Sequence, residues 1–116
     1  MLMKIETELL KQLEREIRDV TREYIQLRKH QFKASGGSRT LMLLNRFGPK
    51  ETAVRLITRS SSDGLKFLHS IGRLDLAIET IVLKDGYAPL FEDKQYVLTR
   101  ARAHLEAITD LDERLA

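Results

Sequence analysis

The sequence predicts an all-α protein, with a long N-terminal amphipathic helix followed by a compact bundle of about four to five short helices. Three observations carry this. Strong helix formers dominate while the 116 residues hold only 6 Gly and 2 Pro. Apolar residues recur at spacings of three and four in every segment, and no run alternates with period two long enough for a strand. The Gly and Pro residues fall between those segments rather than inside them. A chain of 116 residues is one domain's worth, and no internal repeat breaks it up.

The first helix is expected over 1–33. Leu10, Leu13, Ile17, Val20, Tyr24 and Leu27 follow one another at spacings of 3, 4, 3, 4 and 3, the a/d rhythm of a coiled-coil seam. Arg15, Arg22 and Lys29 share the opposite column, with Lys11 and Arg18 beside them. About 28 helical residues span roughly 42 Å, whereas a globule of this size has a radius of gyration near 13 Å. Such a helix must project, bend or find a partner, so the seam is expected to dock a partner helix or a second copy of the chain.

Residues 34–38, Ala-Ser-Gly-Gly-Ser, are expected to form a hinge, with a compact helical domain over 39–116. Leu41, Leu43, Leu44 and Phe47 make a short helix ended by Gly48-Pro49. Pro49 suits the first turn of the next helix, whose buried face is Ala53, Val54, Leu56 and Ile57. Ser60 to Gly64 is a loop rich in capping residues. A helix over 65–71 follows, with Gly72 at the position just past its end. Asp75 is placed to cap an apolar helix over 76–83, ended by Gly86. Residues 87–91 are expected as an apolar connector, residues 93–108 as the last helix, and 109–116 as a frayed acidic end.

Composition also excludes functions. The absence of cysteine removes disulfides, thiolate zinc sites and cysteine nucleophiles together. No stretch approaches the roughly 18 apolar residues of a membrane span. Lys4 and Glu6 interrupt the start before a secretory apolar core could form, so a soluble cytoplasmic chain is expected. His30, His69 and His104 are scattered over three helices without metal-binding spacing, and no phosphate-binding glycine motif is present. Asp75 and Glu79 stand at i, i+4, and are read as complementing a helix N-terminus rather than holding a cation. No catalytic residue, metal or cofactor is expected.

Charge is the better guide to function. The net charge of +3 conceals a basic block: residues 28–59 carry Arg28, Lys29, Lys33, Arg39, Arg46, Lys50, Arg55 and Arg59 against the single acid Glu51. The block could meet phosphate or an acidic protein, and nothing near it is expected to stack a base, because Phe32 and Phe47 both read as apolar-facing.

Ser61-Ser62-Asp63-Gly64-Leu65-Lys66-Phe67-Leu68, Gly72-Arg73-Leu74-Asp75-Leu76, Val82-Leu83 and Pro89-Leu90-Phe91 occur in that order. Together they resemble a helical module of uncharacterised bacterial and phage-derived proteins, over about residues 38–106. The resemblance implies a helical fold and a defence or mobile-element setting, and it transfers no activity. Within it, Gly72, Arg73 and Asp75 read as a structural motif in which Arg73 bridges loop to helix. The function expected is a small non-enzymatic binding module, an adaptor or inhibitor docking through its first helix. The alternative is a nucleic-acid-binding module using the basic block.

Overall fold

A computed structural model of the chain describes the backbone of residues 2–29, 38–59 and 63–115, and the side chains of residues 6–29, 39–59 and 63–110. His30, Phe32, Lys33, the 34–37 part of the expected hinge and Ser60–Ser62 lie outside the described residues. Five helices follow in order: α1 Leu2–Lys29, α2 Ser38–Thr58, α3 Asp63–Ser70, α4 Ile78–Val82 and α5 Gln95–Leu115. Two 3₁₀ segments, Leu74–Leu76 and Asp85–Lys94, flank α4. No strand occurs among the described residues.

The helix boundaries follow from local chemistry. Gly48 takes φ 80° and ψ 174° and splits α2 into two helical pieces. The residue before a proline is disfavoured in helical geometry, and this φ suits glycine alone. Pro49 then opens the second piece, where the buried Thr52 donates its hydroxyl to the Gly48 carbonyl at 2.6 Å. At the end of α3, Gly72 adopts φ 70°. The Arg73 amide reaches back to the Leu68 carbonyl at 2.8 Å and the Gly72 amide to His69 at 3.1 Å. That pair of bonds is a Schellman motif, which satisfies carbonyls the helix leaves open.

Several expected boundaries are corrected. Asp75 does not cap a helix over 76–83, because Arg73 claims its carboxylate. Instead the 3₁₀ turn Leu74–Leu76 is followed by an extended Ala77, and α4 starts at Ile78 without a side-chain cap. The helix ends before Gly86, which lies within the second 3₁₀ segment, and Lys84 is the extended residue between them. That segment is more than a connector, since Tyr87, Leu90 and Phe91 are all buried in the core. Helix α5 continues through Leu115 rather than fraying after Ile108.

Packing produces two apolar clusters. The larger gathers Leu13 and Ile17 from α1, Leu44, Ala53 and Ile57 from α2, and Ile81 and Val82 from α4. The Tyr87–Phe91 segment and Val97, Leu98 and Ala101 of α5 complete it. The smaller is built from Leu65, Phe67 and Leu68 of α3, Leu76 and Ala77 ahead of α4, and Ile108 of α5. Helices α1 and α5 cross both clusters, and Val20 packs against each. The molecule measures 49 × 30 × 20 Å, so only its long dimension accommodates a helix of about 42 Å. Elongation of the domain thus resolves the length mismatch, and α1 lies within the same core as the residues of 39–116.

Candidate functional site

The seam residues are all placed, and all are engaged within the chain. Leu13 and Ile17 are 0 % exposed. Leu10 and Val20 pack on the larger cluster, and Val20, Tyr24 and Leu27 on the smaller. The face expected to meet a partner helix is therefore covered by the chain's own α2, α3, α4 and 3₁₀ segments. A heptad pattern marks the face that is buried, not which chain buries it.

The Gly72-Arg73-Leu74-Asp75-Leu76 motif is a clamp. Arg73 donates Nε and Nη2 to the two Asp75 oxygens at 3.1 and 3.2 Å, and Nη2 also reaches Glu23 of α1 at 2.9 Å. The guanidinium holds the Asp75 carboxyl below the usual carboxylate range, chiefly through those hydrogen bonds, and its own pKa rises in return. The Schellman turn is thereby tied to α1 across 50 residues of sequence. A bidentate arginine fixes orientation as well as proximity. A second tie joins the 3₁₀ segment to the middle of α1, where Lys84 and Tyr87 both donate to the Glu16 carboxylate. Burial first, and Glu16 second, push the Tyr87 hydroxyl above its ordinary pKa.

The basic block divides into two groups. Arg28 donates to the Tyr24 hydroxyl at 2.9 Å, and its guanidinium lies 5.0 Å from the Phe67 ring centroid. Lys50 pairs with Asp93 at 2.9 Å and Arg55 with Glu51 at 3.0 Å. Lys29, Arg39 and Arg59 are exposed and make no ion pair among the described residues. Phe47 is not simply apolar-facing as expected: it is half-buried, with the guanidiniums of Arg46 and Arg55 5.2 and 4.0 Å from its ring centroid. Cation–π attraction of this kind holds the arginines on the ring, so the ring is no free platform for a base.

What remains is one surface that sequence reasoning did not assemble. On the first piece of α2, Arg39, Met42, Asn45 and Arg46 follow helical spacing and are all exposed, with Met42 62 % exposed. Arg18 of α1 donates to Asn45 Oδ1 at 2.9 Å and ties the two helices along this edge. Arg18, Arg22 and Lys29 form a stripe on α1 by the same spacing. Arg18 also pairs with Glu14 at 3.6 Å. By helical spacing, the Arg18, Arg22 and Lys29 edge of α1 and the Arg39, Met42 and Arg46 edge of α2 are joined at the Arg18–Asn45 contact as the α1/α2 face. The exposed positions of each helix were legible, but the Arg18–Asn45 contact that unites them spans 27 residues and was not.

Among the described residues no three His, Asp or Glu side chains gather as metal ligands would. No described helix is long and apolar enough to cross a membrane. The chain matches no protein-family model, no curated protein and no solved structure.

Proposed function

We propose that this chain is a non-enzymatic binding module, an adaptor or inhibitor, that engages an acidic protein surface through the α1/α2 face. The single observation that carries the reading is Met42, 62 % exposed and set between Arg39 and Arg46 on one helix face. Methionine and arginine are residue types enriched at protein interfaces, where lysine is depleted. Four of the five cations on this face are arginines. An apolar centre inside a charged rim gives a docking surface both affinity and orientation. The first helix takes part through its cationic stripe, since its apolar seam is occupied. The defence or mobile-element setting implied by the resemblance remains part of this proposal.

Two probes test the reading by fluorescence anisotropy: a synthetic peptide rich in glutamate and leucine, and a short DNA duplex. Binding of the peptide should persist as salt rises from about 50 to about 200 mM, and should be lost in Met42→Ser and in Arg39→Glu/Arg46→Glu. Duplex binding through five phosphates would weaken roughly 500-fold over the same range, at a log–log slope of about −0.9 per phosphate. Tight duplex binding at the higher salt, or a peptide complex indifferent to Met42→Ser, would overturn the proposal in favour of nucleic acid or of neither.

A further inference from the structure

Away from the α1/α2 face, a cleft of about 340 Å³ opens where α1, α2, α3 and the start of α4 meet. Its volume lies at the small end of ligand pockets, roughly 300–1,000 Å³. Leu65, Leu68 and Leu76 supply apolar wall. Four charged side chains line it as well: Arg28 and Arg59, Asp63 and Glu79. Their formal charges cancel.

Each of these groups is positioned differently. Arg28 is held over Tyr24 and Phe67, whose rings meet edge to face at 5.8 Å. Gly64 lets the Tyr24 hydroxyl approach closely, since a Cβ there would lie 3.3 Å from it. His104 Nδ1 sits 3.0 Å from Glu79 Oε2, fixing that carboxylate from behind while Oε1 has no hydrogen bond among the described residues. Arg59 and Asp63 have neither hydrogen bond nor ion pair among the described residues. Thr21, 5 % exposed, also lines the cleft. No hydrogen bond joins its hydroxyl to another described residue, and that hydroxyl is not among the fully enclosed polar atoms, so it is open to a molecule in the cleft.

We propose that the cleft binds a small zwitterion bearing an apolar side chain, a free α-amino acid of the leucine type. The chemistry of the lining selects this class. A phosphate or nucleotide would meet two carboxylates along with the two guanidiniums. A neutral apolar molecule would strip water from four charges and return nothing to them. A zwitterion answers both pairs: its carboxylate accepts from Arg59 and Arg28, and its ammonium donates to Asp63 and the open oxygen of Glu79. Its side chain rests on Leu65, Leu68 and Leu76, and Thr21 adds a polar contact at the base. This site is separate from the α1/α2 face, and neither proposal depends on the other.

Amide shifts in ¹H–¹⁵N correlation spectra of the full chain, titrated with L-leucine, N-acetyl-L-leucine and L-leucinamide, test the assignment. Leucine should bind saturably, with shifts at Thr21, Gly64 and Glu79. Each analogue, lacking one charge, should bind at least about tenfold more weakly. Arg59→Gln, at an exposed position outside both clusters, should lower leucine affinity at least about tenfold while leaving the helical circular dichroism signal unchanged. Thr21→Val, nearly isosteric, should weaken binding without unfolding the chain. No saturable shift up to the solubility limit of leucine would overturn the proposal. Equal binding of the two analogues, or an Arg59→Gln variant that binds as well as the parent, would do so too.

Discussion

Truncating Ile17 to alanine tests whether the first helix belongs to the chain's own core. Ile17 is 0 % exposed and sits in a cluster fed by α2, α4, the Asp85–Lys94 segment and α5. Deleting its buried methyl and methylene groups removes their transfer energy and leaves a cavity that the surrounding helices close only in part. An Ile→Ala change in a core costs about 2–5 kcal/mol, and the upper half of that range applies where a site is enclosed on several sides. Domains of this size hold only about 5–15 kcal/mol in total, so the variant should lose a large fraction of its stability. At roughly 4 °C per kcal/mol, the melting temperature should fall by about 14–20 °C. Arg22→Ala, on the exposed stripe of the same helix, should stay within about 0.5 kcal/mol. Urea denaturation followed by helical circular dichroism, at two protein concentrations tenfold apart, reads both numbers. A midpoint independent of concentration is expected, because the seam is satisfied within one chain. Should the parent midpoint climb with concentration, and Ile17→Ala abolish that climb, the seam would be intermolecular and the packing argument wrong.

Two further outcomes follow from the backbone and the ion pairs. Gly48→Ala should cost about 1–3 kcal/mol by denaturant titration, because φ 80° with ψ 174° belongs to a region open essentially to glycine. Gly86→Ala, with no such φ and open space around it, should be near neutral, and equal costs at the two sites would refute the strain argument. Hydrogen bonds from Arg73 and Lys50 hold Asp75 and Asp93 below the usual carboxylate range. The stability from these depressed pKa values is therefore complete above the ordinary carboxylate pKa and lost as pH falls through the lowered ones. Between pH near 6 and pH near 3 the parent should lose more stability than Asp75→Asn/Asp93→Asn, by a small margin since both carboxylates are solvated. An identical loss would show that the two pairs contribute nothing.

What could be read from the sequence, and what could not, divides along contact distance. The a/d spacing located the buried face of α1 correctly at Leu13 and Ile17, because helical periodicity is a local property. The occupant of that face is not a local property: the estimate of overreach compared a helix length with a sphere, whereas the domain is elongated and its own helices pack on Leu13 and Ile17. Gly48-Pro49 and Gly72 announced their breaks through backbone sterics alone. The Asp85–Lys94 segment was harder. Tyr87, Leu90 and Phe91 anchor the larger cluster, yet ten residues of 3₁₀ geometry interrupted at Phe91 follow no single period. The basic block showed the same limit. Eight cations were countable, but the Asp93 that pairs with Lys50 and the Phe67 ring that holds Arg28 lie far along the chain and were not.

The middle of α1 is where these threads meet. Val20 packs against both apolar clusters, and Thr21 beside it is 5 % exposed. Both residues line the cleft. The cleft is thus the gap left where the two clusters fail to merge, bounded on one side by the helix that spans them. The smaller cluster is held to α1 by Arg73 through Glu23, and the larger by Lys84 and Tyr87 through Glu16. These ties are polar and lie seven residues, about two turns, apart on the helix, so they add direction to apolar packing, which is non-directional. A ligand seated between the clusters would add contacts to α1, α3 and α4 at once. Its binding energy would stabilise the whole arrangement by mass action rather than any one helix.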